Sequence, residues 1–329
     1  MPLREVNCDI TIPPAYSGEP RIPLMLDPPD HAAYRRLILP LFAPKRADEL
    51  EPVARQLAVR LLDSIKARAE CEFLADFAVP YSFYFTVAWL GVPENEFEFL
   101  RQLGIGLETN DEGVDKFNAY FDALVEERMR TGGIGDDALS FLVDLQKDGR
   151  PLAKSEILRY LVLLFEAGLQ TTSSSLGNMM LFLAEHPQHR GILVTDSQWI
   201  PSAVEELMRY ESITSLTRTV VKKVVLGGQN LLPGDHVWLP TGSAGRDGLE
   251  FEHPDEVLFD RSPNRHLNFG AGPHRCIGSH MARMQLRVAL EEIHRLIPDY
   301  QLMDGQEVRR HVMFERGVDE LWLTCENVT

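Results

Sequence analysis

Cys276 closes the Gly-rich run Phe269-Gly270-Ala271-Gly272-Pro273-His274-Arg275-Cys276-Ile277-Gly278, and the residues that follow, Ser279 to Leu286, have the pattern of a helix. A cysteine just ahead of a helix N-terminus faces unpaired N–H groups and the positive end of the macrodipole. Both favour thiolate over thiol. Gly270, Gly272 and Gly278 let the backbone turn and approach a flat partner closely. A preorganised thiolate on a loop with so little side-chain bulk suits a large planar metallocofactor.

Three further groupings could do chemistry. His31 and Arg35 stand four apart, on one face of any helix that contains them. Ala167-Gly168-Leu169-Gln170-Thr171-Thr172 puts small residues and then hydroxyls inside an apolar helical stretch, where hydroxyls compete for backbone carbonyls; Glu166 is the nearest carboxylate. Glu206 and Arg209 are spaced to pair as i, i+3. Taken singly, each has a plain structural reading: a solvated face, a Ser/Thr-containing core helix, one surface ion pair.

Stepping outward, residues 1–29 are Pro-rich, lack periodicity and read as loop. Asp30 caps a helix to about Phe42. Residues 47–68 form an amphipathic helix with Leu50, Val53, Leu57, Leu61 and Leu62 as its stripe. Further helices are predicted near 78–90, 95–108, 113–131 and 136–147, a long central one over 153–185, a short one over 200–211 and one from Ile277 to about Leu296. Strands are predicted at Val220-Val221, Val224 to Leu226, Leu231-Leu232 and His236 to Leu239, with tail strands around Tyr300 to Leu302 and Glu320 to Leu323. No linker or repeat interrupts the chain, so a single domain over 1–329 is the simplest organisation.

Bulk properties narrow the class. The 329 residues are 44% hydrophobic and 25% charged, as in a soluble globular protein. A formal net charge of −16 argues against nonspecific binding to nucleic acid or an anionic membrane. No apolar run reaches the length of a membrane span, and the N-terminus has no signal-peptide core. Cys8, Cys71, Cys276 and Cys325 are far apart with no CxxC, against a disulfide framework or zinc site and in favour of a reducing cytoplasm. From Arg261 to Leu290 there are five arginines and no acid. With Arg36, Lys45 and Arg46 they suggest a basic docking face for an acidic partner; the alternative is that they pair with internal acids or with a cofactor's carboxylates.

The cysteine run, Phe-x-x-Gly-x-x-x-Cys-x-Gly with a His two before the Cys, resembles the haem-binding loop of the cytochrome P-450 superfamily. The resemblance runs from about Asp27 to Cys325. It implies a mainly α fold with small β-sheets (α+β), without the helix and two strands that usually precede the Pro-rich segment; an unpaired sheet edge and lower stability than a longer relative are expected from that. It implies haem b on Cys276 as axial ligand, with Phe269, Gly270 and Gly278 shaping the loop. His31, Arg35, Arg218 and His274 would meet the haem propionates, and Ala167 would make room beside the haem. Glu206, Arg209 and Arg261 would form a structural ion triad.

Thr171 matches the threonine that organises proton delivery in the superfamily, but Gln170 stands where the acid is expected. An amide cannot shuttle a proton. Glu166 is open as proton source, as substrate anchor or as a salt-bridge partner. The activity implied is insertion of one oxygen atom from O2 into a small, mostly hydrophobic substrate, with electrons originating in NAD(P)H and delivered by a ferredoxin or flavodoxin and its reductase. Leu163, Glu166, Ala167, Ile213, Thr214, Leu216 and Phe314 would line the pocket. A peroxide-driven oxygenase and a catalytically impaired haem-binding relative are the alternatives that Gln170 keeps open; no clear basic residue in the distal segment is seen to recruit an acidic co-substrate.

Overall fold

The apolar stretch at the centre of the sequence folds as one 32-residue helix, Lys154–Glu185. Its residues 160–165 and 172–184 are all buried, as expected of a helix apolar on every side. The computed structural model describes residues 6–7, 21–68, 70–107, 111–133, 135–312 and 315–325. Cys8, Phe314 and most of the Pro-rich segment lie outside the described residues.

The other predicted helices form at Asp30–Ile38, Pro44–Lys66, Val79–Leu90, Phe97–Leu107, Asp111–Thr131, Ala138–Val143, Ile200–Tyr210 and Ser279–Leu296. Some details depart from expectation. Asp30 is the first helical residue rather than the cap, and Pro29 holds the cap position without a side-chain bond. The helix predicted over 136–147 stops at Val143. Asp148 and Gly149, at φ 55° and 77°, turn Gln146–Lys147 back onto Arg150–Pro151, a hairpin chemistry that competes with helix. Pro187–Thr195 is a helix that was not predicted. On Pro44–Lys66 the buried face is Ala47, Ala54, Leu57, Ala58, Leu62 and Ile65, while Val53 of the expected stripe is 36% exposed. The small alanines let this helix pack closely on Ser279–Leu296.

By contact, the chain divides into two compact units. The first gathers the described residues up to Leu41 with Phe83–Gly168 and Thr217–Val237. In it, Val6–Asn7, within the segment expected to be loop, pairs antiparallel with Ser215–Val220 at Val6↔Val220 and Asn7↔Thr219. The second gathers Phe42–Ser82, Leu169–Leu216 and the rest of the described chain from Trp238. Its sheet runs Glu70–Glu72, Trp322–Cys325, Tyr300–Leu302, with Leu323 opposite both Cys71 and Leu302. An unpredicted hairpin pairs Arg310–Val312 with Arg316–Val318.

Candidate active site

In the second unit the cysteine run forms a tight turn ahead of helix Ser279–Leu296. Gly270 and Gly272 take φ of 65° and 74°, which side chains with a Cβ rarely adopt. The turn closes with the Cys276 N–H donating to the Phe269 carbonyl at 2.8 Å. Cys276 is exposed, and no described cysteine is in a disulfide. A Cβ on Gly278 would stand 3.9 Å from the Cys276 sulfur and 3.9 Å from Phe42, in ordinary contact with both. Upstream, Asn268 ties the turn to the chain after Ile200–Tyr210: its Oδ1 accepts from the Ser212 hydroxyl at 2.8 Å and from Ile213 N–H at 3.2 Å.

Two adjacent acids of helix Ile200–Tyr210 hold the chain on either side of this turn. Glu206, 1% exposed, receives Arg209 at 2.7 and 2.8 Å, Arg261 at 3.0 Å, Asn264 at 3.0 Å and the Leu258 N–H at 2.9 Å. Arg209 also donates to the carbonyls of Gly245, Pro254 and Glu256. The predicted triad is therefore assembled. Its neighbour Glu205 was not singled out in the sequence. It receives Arg283 at 2.6 and 2.8 Å and His266 at 3.2 Å, and Arg283 lies 4.4 Å from the Phe269 ring centroid. Burial raises the Glu205 pKa, but His266 and Arg283 outweigh it and hold the carboxyl down to about 2. No short-range spacing marks Glu205, since its partners lie 61 and 78 residues away.

Also in the second unit, the long helix exposes Gln170 and leaves Thr171 half-buried. Its carbonyls here are drawn on by hydroxyls: Leu169 O accepts from Ser82 at 2.6 Å and Ser173 at 3.1 Å, Gln170 O from Ser173 at 3.0 Å, and Thr171 O from Ser175 at 2.8 Å. The competition expected for carbonyls is present, carried by serines one turn on.

In the first unit, Glu166 is salt-bridged. Arg21 donates to both its oxygens, at 2.6 and 2.7 Å, and the arginine side chain is 3% exposed. Arg21 is a basic residue beside the distal segment, where the sequence had shown none. Ala167 is exposed midway along the long helix. A Cβ on Gly168 would fall 2.7 Å from the Thr86 hydroxyl, so this glycine admits helix Val79–Leu90. His31 is buried while Arg35 and Arg218 are half-buried. Burial first, then the charge of Arg35, lowers the His31 pKa, against a smaller raising effect of Asp27. Of the expected pocket residues, Leu163 and Ile213 are buried, and Thr214 and Leu216 are half-buried. Leu216 would be 3.4 Å from a Cβ on Gly270.

The arginines after Arg261 are more engaged than their sequence neighbourhood suggests. Arg261 and Arg283 meet Glu206 and Glu205. Arg287 pairs with Glu51 and Glu291, and Arg265 lies 3.8 Å from Glu250. Arg275 and Lys45 are exposed.

Cys276 fits the haem that the sequence resemblance implies: it is an exposed thiol at the head of a helix, on a turn that Gly270 and Gly272 shape. A family model described as Cytochrome P450 matches residues 107–296. The chain is 32% identical to the probable cytochrome P450 127A1 of Sinorhizobium fredii, over 93% of this chain and 75% of that protein. It is 33% identical to the mycinamicin IV hydroxylase/epoxidase of Micromonospora griseorubida, over 85% of this chain and 73% of that one. Among solved structures, CYP109E1 from Bacillus megaterium in complex with corticosterone superposes with a TM-score of 0.88 at 28% identity, covering 98% of this chain and 88% of that one.

Proposed function

The chain belongs to the cytochrome P450 family and is a monooxygenase that uses haem b and, indirectly, NAD(P)H, and on that premise we propose that it inserts one atom of O2 into a small, mostly hydrophobic substrate with electrons from a ferredoxin-type partner. The observation that carries the reading is Cys276, exposed on a Gly-shaped turn at the head of Ser279–Leu296. When bound there, haem b supplies the activation of dioxygen, which thiolate donation favours.

The chain's own residues bind, orient and handle protons. The Cys276 thiolate would hold the haem iron, and the Phe269 carbonyl, by taking the Cys276 N–H, fixes the direction of the Cα–Cβ bond of Cys276. Arg35, Arg218, His274 and His31 would hold the haem carboxylates; an anion placed against His31 would favour its charged form. Thr171 holds a proton donor at its hydroxyl. Gln170 orients it without giving up a proton. Glu166, with both oxygens taken by Arg21, anchors the Arg21 segment and leaves proton transfer to Thr171 and solvent. Apolar Leu163, Ile213 and Leu216 exclude water and select an apolar substrate. The exposed Arg275 and Lys45 contribute to the docking face, and the site of action is the cytoplasm; among the described residues no helix is long and apolar enough to cross a membrane.

The first test is the spectrum of the dithionite-reduced, haem-loaded protein with carbon monoxide. A strongly red-shifted Soret band is expected; a band at the position of histidine-ligated haem would sink the assignment of Cys276. Gln170 favours a second reading, in which peroxide replaces O2 and the reductase chain. Product formed with hydrogen peroxide alone, and none with ferredoxin, reductase and NAD(P)H, would select it.

A further inference from the structure

We propose that Glu205 and Arg283 are a charge-balanced positioning pair that sets how readily the iron held at Cys276 is reduced. The inference rests on Cys276 as axial ligand.

Arg283 is joined to Glu205 by two hydrogen bonds, 2.6 and 2.8 Å, and its guanidinium carbon lies 4.4 Å from the centroid of Phe269. Phe269 is also the residue whose carbonyl receives the Cys276 N–H. The pair therefore bears on the ligand through one residue, by placing a guanidinium on its ring. His266 completes the arrangement. Its Nδ1 accepts the Asn268 N–H at 3.2 Å, which leaves the proton on Nε2, 3.2 Å from Glu205. Glu205 and Arg283 by themselves sum to zero charge. The neighbouring Glu206 is committed to Arg209 and Arg261 and offers no spare acid to rebalance a change.

Reduction adds one negative charge at the metal. An uncompensated cation nearby stabilises the reduced form, and an uncompensated anion destabilises it. Glu205→Gln leaves Arg283 positive over Phe269, so the midpoint potential rises. Arg283→Met leaves Glu205 negative, so the midpoint falls. Each shift is expected to be roughly tenfold in the reduction equilibrium constant, about 59 mV for one electron.

The experiment is a reductive titration of the full-length, haem-loaded protein and both variants, each checked for the thiolate-type carbon monoxide band. Shifts of opposite sign with the band retained are expected. Midpoints that do not move, or that move in the same direction, overturn the proposal, because a bracing role alone has no sign. Should Glu205→Gln fail to load haem, Arg283→Met decides: a lower midpoint supports the pair, and an unchanged or higher one overturns it. A parent protein without the thiolate band overturns the axial-ligand reading itself, a different failure from a silent pair in a protein that shows the band.

Discussion

The cysteine turn and the 166–171 stretch of the long helix are held by different forces. The chain flanking the turn is braced by charge: Glu206 gathers two guanidinium groups, an amide and a backbone N–H, and Glu205 gathers Arg283 and His266. The bonds described for the helix stretch are neutral hydroxyls on carbonyls, with the Arg21–Glu166 pair at its start. Charge networks fix a geometry, because losing one member strands the others; hydroxyl contacts can be exchanged for water at small cost. The chain around Cys276 is thereby held the more firmly of the two.

Substitutions sharpen or break this contrast. Glu206→Gln strands Arg209 at 0% exposure and is expected to cost about 3–5 kcal/mol, read as a lower urea midpoint. Glu166→Gln strands the buried Arg21 but leaves a partly exposed site, so a loss of about 2–3 kcal/mol is expected by the same measurement. Gly168→Ala forces a Cβ toward Thr86 and is expected to lose about 1–3 kcal/mol, with Thr86→Ala relieving part of it in the double variant. Ser173→Ala removes two neutral contacts and is expected to cost only about 1 kcal/mol. If Ser173→Ala were as damaging as Glu206→Gln, the contrast between the two ends would be wrong.

Acid and base unfolding give a smaller but signed test. Glu205 is held down to about 2, below its unfolded value, so its contribution is present above the unfolded pKa of about 4.3 and is lost as pH falls toward 2. Glu315 is pushed up to about 7, chiefly by burial and against His311. Between about pH 4.3 and 7 the folded state holds more protons there than the unfolded one, so stability declines as pH rises. Glu205→Gln should flatten the acid limb of a stability–pH curve, and Glu315→Gln should flatten the neutral one. Matching slopes in both variants and parent would refute these assignments.

The sequence made visible what is local. Glu206 and Arg209 are one turn apart, Cys276 sits in a fixed pattern of glycines, and the long helix repeats apolar residues at helical spacing. It concealed what only folding brings together. Arg21 meets Glu166 across 145 positions, and Glu205 meets Arg283 across 78; an arginine or a glutamate carries no mark of its partner. The arginines after Arg261 looked like a bare basic face because their acids come from elsewhere in the chain. Val53 scored as core because valine is apolar, yet the close approach of Ser279–Leu296 selects the alanine face instead. Charge pairing and helix rotation are tertiary facts, and periodicity alone does not carry them.

The second unit's sheet has a consequence for biosynthesis. Its middle strand is Trp322–Cys325, and the Leu321 N–H that precedes it docks on the side chain of Glu72, 249 residues earlier. At ribosomal speeds of about 5–20 residues per second, Glu70–Glu72 emerges and waits on the order of tens of seconds for that strand. Helices can form as they leave the tunnel, but the two outer strands are open edges until the final stretch arrives. The nascent chain is therefore exposed to wrong pairing until Trp322–Cys325 has been made, and a message cut short before Trp322 would yield a unit that cannot close.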